Sequence, residues 1–282
     1  MMQQHVIFDN HFHLDFDGRC LDAVKDFEHA GGTHLLLVNK PNLEIQINNG
    51  KDFNMEFKNT LNLANLIRKE TKVEVFVAMG PHPVWISNLV KKFPLEKAVD
   101  IMKKGIDVAG KYIIDDDAVA IGEIGRPHYK VPGDVWEASN RILRYGMEVA
   151  KENNCAVILH TENATKDTFA ELASVARSVG LKEEKLVKHY SPPIVKIEDN
   201  HGLFPSILAY EDSIKKAISQ GNRFMMETDY IDDIKRPGAV LGPATVPKKT
   251  RSFLERGIFK EEDVLKIHKE NPEKIYNIEM KI

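Results

Sequence analysis

The chain has 282 residues, of which 43% are hydrophobic and 29% charged, and its formal net charge is −3. This is the balance of an ordinary globular protein, which excludes a disordered chain, and no apolar run approaches the roughly 18 residues that a membrane span needs. The small negative charge also excludes a global basic field that would attract nucleic acid or anionic lipid. Any contact with nucleic acid must therefore be local.

The N-terminal stretch "MMQQHVIFDN" has neither the basic start nor the apolar centre of a signal peptide. The chain has two cysteines, Cys20 and Cys155, which a cytoplasmic protein would keep reduced. We therefore expect a cytoplasmic protein that does not contact a membrane. The sequence indicates no protein partner.

Short apolar runs alternate with amphipathic helical patterns along the whole chain. Eight of these runs are predicted strands, and in chain order they are "HVIFDN", "THLLLVN", "VEVFVAMG", "AVAIGEIG", "CAVILHT", "KLVKHY", "GLFPSIL" and "RFMMETD". Helical patterns such as "LEKAVDIMKKGIDVAG" lie between them. The strands are nearly continuously apolar, which is typical of a parallel sheet that is covered on both faces.

Eight strand–helix units without a linker or a shift in composition predict one (β/α)₈ TIM barrel over residues 1–282. An open doubly wound sheet is the alternative, but the segment after the first strand, "NHFHLDFDGRC", lacks the GxGxxG turn of that class. One unit should be irregular, near residues 191–201. There "SPPIVKIEDNH" leaves little room for a full helix, and its two prolines disfavour one at its start.

Residue types that bind metals stand at the ends of five predicted strands. His11 and His13 are two positions apart, so both side chains face the same side of the first strand, although such a pair alone is a weak signal. Later strands end in four more residues of this kind: Glu123, His160, His189 and Asp229. Because the carboxyl ends of the strands of a TIM barrel face one cavity, we expect all six side chains to converge.

Four imidazoles and two carboxylates suit divalent ions, and six protein ligands are more than one catalytic ion with open positions requires. We expect two divalent metal ions that share a carboxylate, with zinc as the first choice and magnesium or manganese as alternatives. Such ions would hold a bridging hydroxide and present it to a carbonyl or phosphoryl centre. Without metal, the same groups would form a buried and mutually repelling cluster, which is costly.

Seven motifs follow one another along the chain: "DNHFHLD", "MGPHP", "AIGEIG", "ILHTE", "KHYS", "METD" and "NPEKIYNI". In this order they resemble the motifs of the TatD-related metal-dependent hydrolases of the amidohydrolase superfamily. The resemblance implies one ion bound by His11, His13 and Asp229, a second bound by His160 and His189, and Glu123 as the bridge between them. It further implies catalytic roles for Glu123 and for Asp229, which would take a proton from the attacking water.

The chain departs from the family pattern beside this set. Nucleases of the family read GEIGLD and carry a basic residue two positions after the fifth-strand histidine, whereas this chain has Arg126 and Pro127 in "GEIGRP" and Glu162 in "HTE". Arg126 is predicted to bind a substrate anion through its planar fork, with an ion pair to Glu162 as the alternative. His82 in "GPHPVW" is either a loop histidine held by prolines or a substrate contact. His82, Arg126 and Glu162 are thus the candidate substrate-binding residues.

The resemblance predicts a metal-dependent hydrolase of phosphoester bonds, with TatD-like deoxyribonuclease or phosphodiesterase activity on a small molecule or on nucleic-acid ends. The departures at Arg126 and Glu162 concern substrate specificity and leave the predicted ligands intact. The alternative is a cyclic amide or lactone hydrolase that uses the same ions on a carbonyl. A third hypothesis is a metal-binding scaffold without catalysis.

Overall fold

The computed structural model describes residues 5–281. Residues 1–4, on which the signal-peptide interpretation partly rests, and residue 282 lie outside the described residues. Parallel strands curl into a barrel, and their bounds are β1 Phe8–His13, β2 His34–Val38, β3 Glu74–Met79, β4 Ala120–Gly125, β5 Ala156–His160, β6 Leu186–Lys188, β7 Phe204–Leu208 and β8 Met225–Glu227. The eight predicted strands and the TIM-barrel fold are confirmed.

The barrel closes through a break in its last strand. A two-residue strand, β9 (Tyr230–Ile231), follows β8 after Thr228 and Asp229. β8 pairs with β7, whereas β9 pairs with β1 and sets Phe12 opposite Tyr230. The eighth strand therefore joins both of its neighbours, and Asp229 lies at the point where it passes from one to the other.

Helices connect the strands and form the outer layer. Their bounds are α1 Leu21–His29, α2 Asn54–Glu70, α3 Val84–Leu89, α4 Leu95–Ile114, α5 Gly133–Glu152, α6 Lys166–Val179, α7 Ile197–Asn200, α8 Glu211–Ile218, α9 Thr245–Glu255, α10 Glu261–Leu265 and α11 Asn271–Tyr276. The predicted irregular unit is confirmed, because the connection from β6 to β7 contains only the four-residue α7. Within residues 5–281, no helix has the length and apolar character that crossing a membrane requires.

Apolar side chains fill the interior of the barrel. Those that point inward include Phe8, Leu36, Ala78, Ala120, Ile158, Val187, Phe204 and Met225. Side chains on the other face of the strands, such as Leu37, Val77 and Val157, pack against the helices. Burying each large apolar side chain stabilises the fold by about 1.5–3 kcal/mol, so both layers favour the strand register that the apolar pattern predicts.

Asp232 fixes the loop between β1 and α1 at the seam of the barrel. Its buried carboxylate accepts hydrogen bonds of 2.8 Å from the backbone N–H groups of Arg19 and Cys20 and one of 3.0 Å from the hydroxyl of Tyr230. A Cβ atom at Gly18 would lie 2.3 Å from the Asp232 carboxyl carbon. Only glycine lets the loop approach this carboxylate, and the loop is thereby held beside the open end of the barrel.

Candidate metal centre

The first group of candidate ligands joins the two histidines of β1 to two carboxylates. The Nε2 atoms of His11 and His13 are 3.1 Å apart. Oε2 of Glu123 lies 3.6 Å from both, and Oδ1 of Asp229 lies 4.0 Å from His11 and 3.7 Å from His13. Ligands of a tetrahedral ion with bonds of 2.0–2.1 Å lie about 3.3–3.4 Å apart. These four atoms are therefore spaced as one ion would require.

The second group faces the other oxygen of Glu123. Oε1 lies 2.9 Å from Nδ1 of His160 and 3.5 Å from Nε2 of His189. The ring of His189 stacks on that of His11 with centroids 3.7 Å apart, so the two groups are contiguous. The structure thus brings all six predicted ligands together, with one carboxylate between two sets of imidazoles.

The charges in the first group of ligands favour a bound cation. Although burial acts to lower it, the negative charge of Glu123 raises the pKa of His11 to about 9. Burial and the neighbouring charge of His11 lower the pKa of His13 to about 3. Nδ1 of His13 lies 3.0 Å from the carbonyl oxygen of Val38, and donating its proton there leaves the Nε2 lone pair free. The residues therefore fit a divalent ion between these nitrogens, where a proton would otherwise sit.

Glu227, which the sequence analysis missed, positions His189. Its Oε1 lies 3.0 Å from Nδ1 of His189 and accepts a 2.7 Å hydrogen bond from the backbone N–H of Tyr190. The hydroxyl of Ser206 donates to its other oxygen. The negative charge of this carboxylate favours a proton on Nδ1, although the contact lacks hydrogen-bond geometry, and that tautomer leaves Nε2 free to bind. The signal was its position in "METD", two residues before Asp229, which repeats the spacing of His11 and His13.

Asp9 holds the segment that carries Asp229. Its carboxylate accepts hydrogen bonds from the backbone N–H of Thr228 at 3.0 Å and from the Thr228 hydroxyl at 2.7 Å. Asp229 itself has φ of 48°, a left-handed conformation that aspartate tolerates better than most residues. The break in the eighth strand is thus anchored to β1, next to His11 and His13.

His128 supports His160 from the outer side. The Nε2 atom of His160 lies 2.8 Å from Nδ1 of His128. If His160 binds an ion through Nδ1, its Nε2–H can donate to His128, which keeps the ring oriented. This contact could not be predicted from the strand ends, because His128 lies in the loop after β4.

His82 presents a donor to the cavity. Its Nδ1 accepts a 3.0 Å hydrogen bond from the backbone N–H of Val84, so the proton of the neutral ring is on Nε2. Burial, followed by the positive field of His160, lowers the pKa of His82 well below its ordinary value, which keeps the ring neutral. Nε2 lies 3.8 Å from Glu123 Oε2, within reach of a shared ligand. Because that nitrogen carries a proton, it suits a hydrogen bond to a substrate oxygen better than a bond to metal.

Arg126 and Glu162 form the ion pair that the sequence analysis gave as the alternative to a substrate contact. The buried guanidinium donates to both Glu162 oxygens, at 3.1 and 2.5 Å, and to Glu171 at 2.7 Å. It also lies over the ring of Trp136, 4.8 Å from its centroid. These groups belong to α5, α6 and the end of β5, so the fork that would bind a substrate anion is already occupied. The Arg126 backbone N–H donates to the carbonyl of His160 at 2.8 Å.

Comparison with known proteins identifies the family. A family model described as TatD related DNase matches residues 8–277. The chain belongs to the TatD-related DNase family. An uncharacterised protein of Methanocaldococcus jannaschii is 42% identical over 282 residues, which cover 98% of this chain and 97% of that protein. This member of the TatD-related DNase family is thus a metal-dependent hydrolase.

Solved structures share the fold at low sequence identity. A TatD-like protein from Archaeoglobus fulgidus matches with a TM-score of 0.60 and 16% identity, covering 96% of this chain and 100% of that chain. A hydrolase of the TatD family from Entamoeba histolytica matches with a TM-score of 0.62 and 14% identity, covering 97% and 99%. The phosphotriesterase homology protein from Escherichia coli matches with a TM-score of 0.61 and 13% identity, covering 98% of this chain and 100% of that chain. These likenesses support the barrel.

Proposed function

We propose that this TatD-related DNase family member is a two-metal phosphoesterase that cleaves phosphodiester bonds in small molecules or at nucleic-acid ends. The observation that carries the proposal is the position of Glu123, whose two oxygens face two separate groups of imidazoles. One bridging carboxylate between two sets of ligands is the arrangement that a pair of ions requires. The family description supports a phosphodiester as the substrate.

Two divalent ions would be held by the six residues, with His11, His13 and Asp229 on one side, His160 and His189 on the other, and Glu123 shared. Bound there, the ions would supply Lewis acidity toward the phosphoryl group and lower the pKa of a water molecule toward 7. Zinc fits this set better than magnesium or manganese, because imidazole nitrogens outnumber carboxylates and the other two ions prefer oxygen ligands.

Asp229 is the proposed proton acceptor. Burial, with additional repulsion from Glu227 and Glu123 and against the attraction of His11, raises the pKa of Asp229 well above its ordinary value. The position of Asp229 carries the role instead: its Oδ1 faces the histidines of the first group, where a carboxylate could take a proton from an attacking water and return it to the leaving oxygen. The Nε2–H of His82 would donate to a phosphoryl oxygen and stabilise the charge that develops on it.

The test is the activity of the full chain after chelation and reloading with zinc, manganese or magnesium. The substrates are a chromogenic phosphodiester, a short single-stranded DNA and a panel of lactones. We expect metal-dependent cleavage of the phosphodiesters, lowered about 10²- to 10⁴-fold by Asp229→Asn. The matched control is Asp233→Asn, since Asp233 lies on the same loop but pairs with Arg236 at 2.8 Å.

Turnover of lactones alone would refute the phosphoesterase and favour the carbonyl hydrolase. Tight metal binding without turnover of any ester would favour the scaffold. Equal losses in the Asp229→Asn and Asp233→Asn variants would contradict the role of Asp229.

A further inference from the structure

A groove of about 420 Å³ lies on the face of the barrel that carries the metal centre. Its walls come from the loop after β2, from α3, and from the loop between β4 and α5. The side chains that matter here are Leu43, Val84, Tyr129 and Val131 as the apolar wall, with Lys91 and Lys130 also lining it. The volume falls within the range of roughly 300–1,000 Å³ that is typical of small-molecule sites.

Two contacts connect the walls of the groove to histidines next to the candidate ligands. Val84 donates its backbone N–H to His82 at 3.0 Å, so this wall is tied to a side chain of the centre. On the opposite wall, the ring of Tyr129 packs against His128 with centroids 5.3 Å apart. His128 in turn lies 2.8 Å from His160. The groove is thus joined to the centre through contacts with these two histidines, neither of which lines it.

The apolar wall is exposed yet held in place. Leu43 is 49% exposed and Tyr129 40% exposed, which is unusual for large apolar side chains grouped on one surface. The Tyr129 hydroxyl donates a 3.0 Å hydrogen bond to the hydroxyl of Ser87, and this bond fixes the ring orientation. A preoriented aromatic ring suits a flat apolar group, because little side-chain entropy is lost when that group binds.

The charge of the groove favours an anionic partner. Lys91 and Lys130 are exposed, and neither forms an ion pair within residues 5–281. Many other surface lysines in that range are paired, such as Lys104 with Asp100 at 2.9 Å. A ligand that places a flat apolar group on Tyr129 and a phosphate near these two ammonium groups would satisfy both features.

We propose that this groove binds the base of the nucleotide adjacent to the scissile phosphodiester, with Tyr129 as the stacking surface and Lys91 and Lys130 beside the next phosphate. The inference rests on the proposed function and adds to it a stacking subsite for the base beside the scissile bond. It also gives Tyr129 a role in specificity without a role in the reaction.

The test compares two short oligonucleotides cleaved by the metal-loaded full chain. They are identical except that the nucleotide next to the scissile bond carries either a base or an abasic analogue. We expect kcat/KM to be about 5- to 100-fold lower for the abasic substrate, the range that one stacked base typically supplies. Tyr129→Ala should remove this difference, and Tyr129→Phe, which keeps the ring, should retain it. Metal content should be unchanged in both variants.

Tyr210→Ala is the matched control, because Tyr210 is 46% exposed and also follows a strand but does not line the groove. Lys91→Gln combined with Lys130→Gln should raise KM and weaken its dependence on salt. Equal rates on both substrates, or an equal effect of Tyr210→Ala, would overturn the groove assignment while leaving the phosphoesterase intact. Failure to cleave any phosphodiester would overturn both proposals.

Discussion

The ion pair between Arg126 and Glu162 allows a quantitative test of a structural role for Arg126. Arg126→Met keeps most of the aliphatic volume but removes the charged fork. The guanidinium is 1% exposed and Glu162 is 31% exposed. Breaking a fully buried pair costs about 3–5 kcal/mol, whereas an exposed pair contributes under about 1 kcal/mol. Because water can reach Glu162, we expect Arg126→Met to lower the free energy of unfolding by about 2–3 kcal/mol.

The double-mutant cycle separates this contact from other effects of the substitution. Glu162→Gln should cost less, about 1–2 kcal/mol, because Arg126 keeps its hydrogen bond to Glu171. The double variant should be more stable than the sum of the two losses predicts, by about 1 kcal/mol. Denaturant unfolding followed by circular dichroism measures all four proteins. Losses that add within about 0.5 kcal/mol would refute the contact, and unchanged stability with a tenfold higher KM would restore Arg126 as a substrate contact.

Glu227→Gln should lower the affinity for the second ion about 10- to 100-fold, because it removes the charge that orients His189. Competition with a chelator measures the affinity for each ion. Equal weakening of both ions would contradict this role of Glu227. Burial lowers the pKa of His268 to about 4, whereas its pKa in the unfolded chain is about 6.5. The neutral His268 ring therefore contributes its full stabilisation above pH 6.5, and this contribution is lost as the pH falls toward 4. Over that window His268→Gln should therefore lose less stability than the wild type, by roughly 3 kcal/mol, in denaturant titrations at several pH values. Parallel curves for the two proteins would refute this.

The strands were predictable because apolar runs end abruptly in a polar residue where the barrel opens. The same transition located His11, His13, Glu123, His160 and Asp229, and the structure brings their side chains together. Their role as metal ligands stays a prediction. Alternation was sufficient for His160, which shares a face with Ile158. In contrast, β1 shifts register between Asp9 and Phe12 and β4 between Ile121 and Ile124, so alternation alone does not direct His11 and Glu123 into the barrel.

Beyond the end of a strand, alternation no longer predicts the direction of a side chain. Arg126 follows directly after β4, and its direction depends on packing against Trp136 on α5 and Glu171 on α6. Glu227 was missed because its role depends on His189, 38 residues earlier in the chain, which β7 separates from it. The spacing of Glu227 from Asp229 could mark it as a site residue, but its pairing with His189 is set by tertiary packing.

The central claim is that six residues hold two ions, and metal analysis by mass spectrometry tests it most directly. After reloading and removal of free metal, we expect two divalent ions per chain. Combining His11→Ala with His13→Ala should remove at least the ion of the first group, since it deletes two of the three residues bound to that ion alone. Retention of both ions in this variant, or absence of bound metal from the wild type, would contradict the claim.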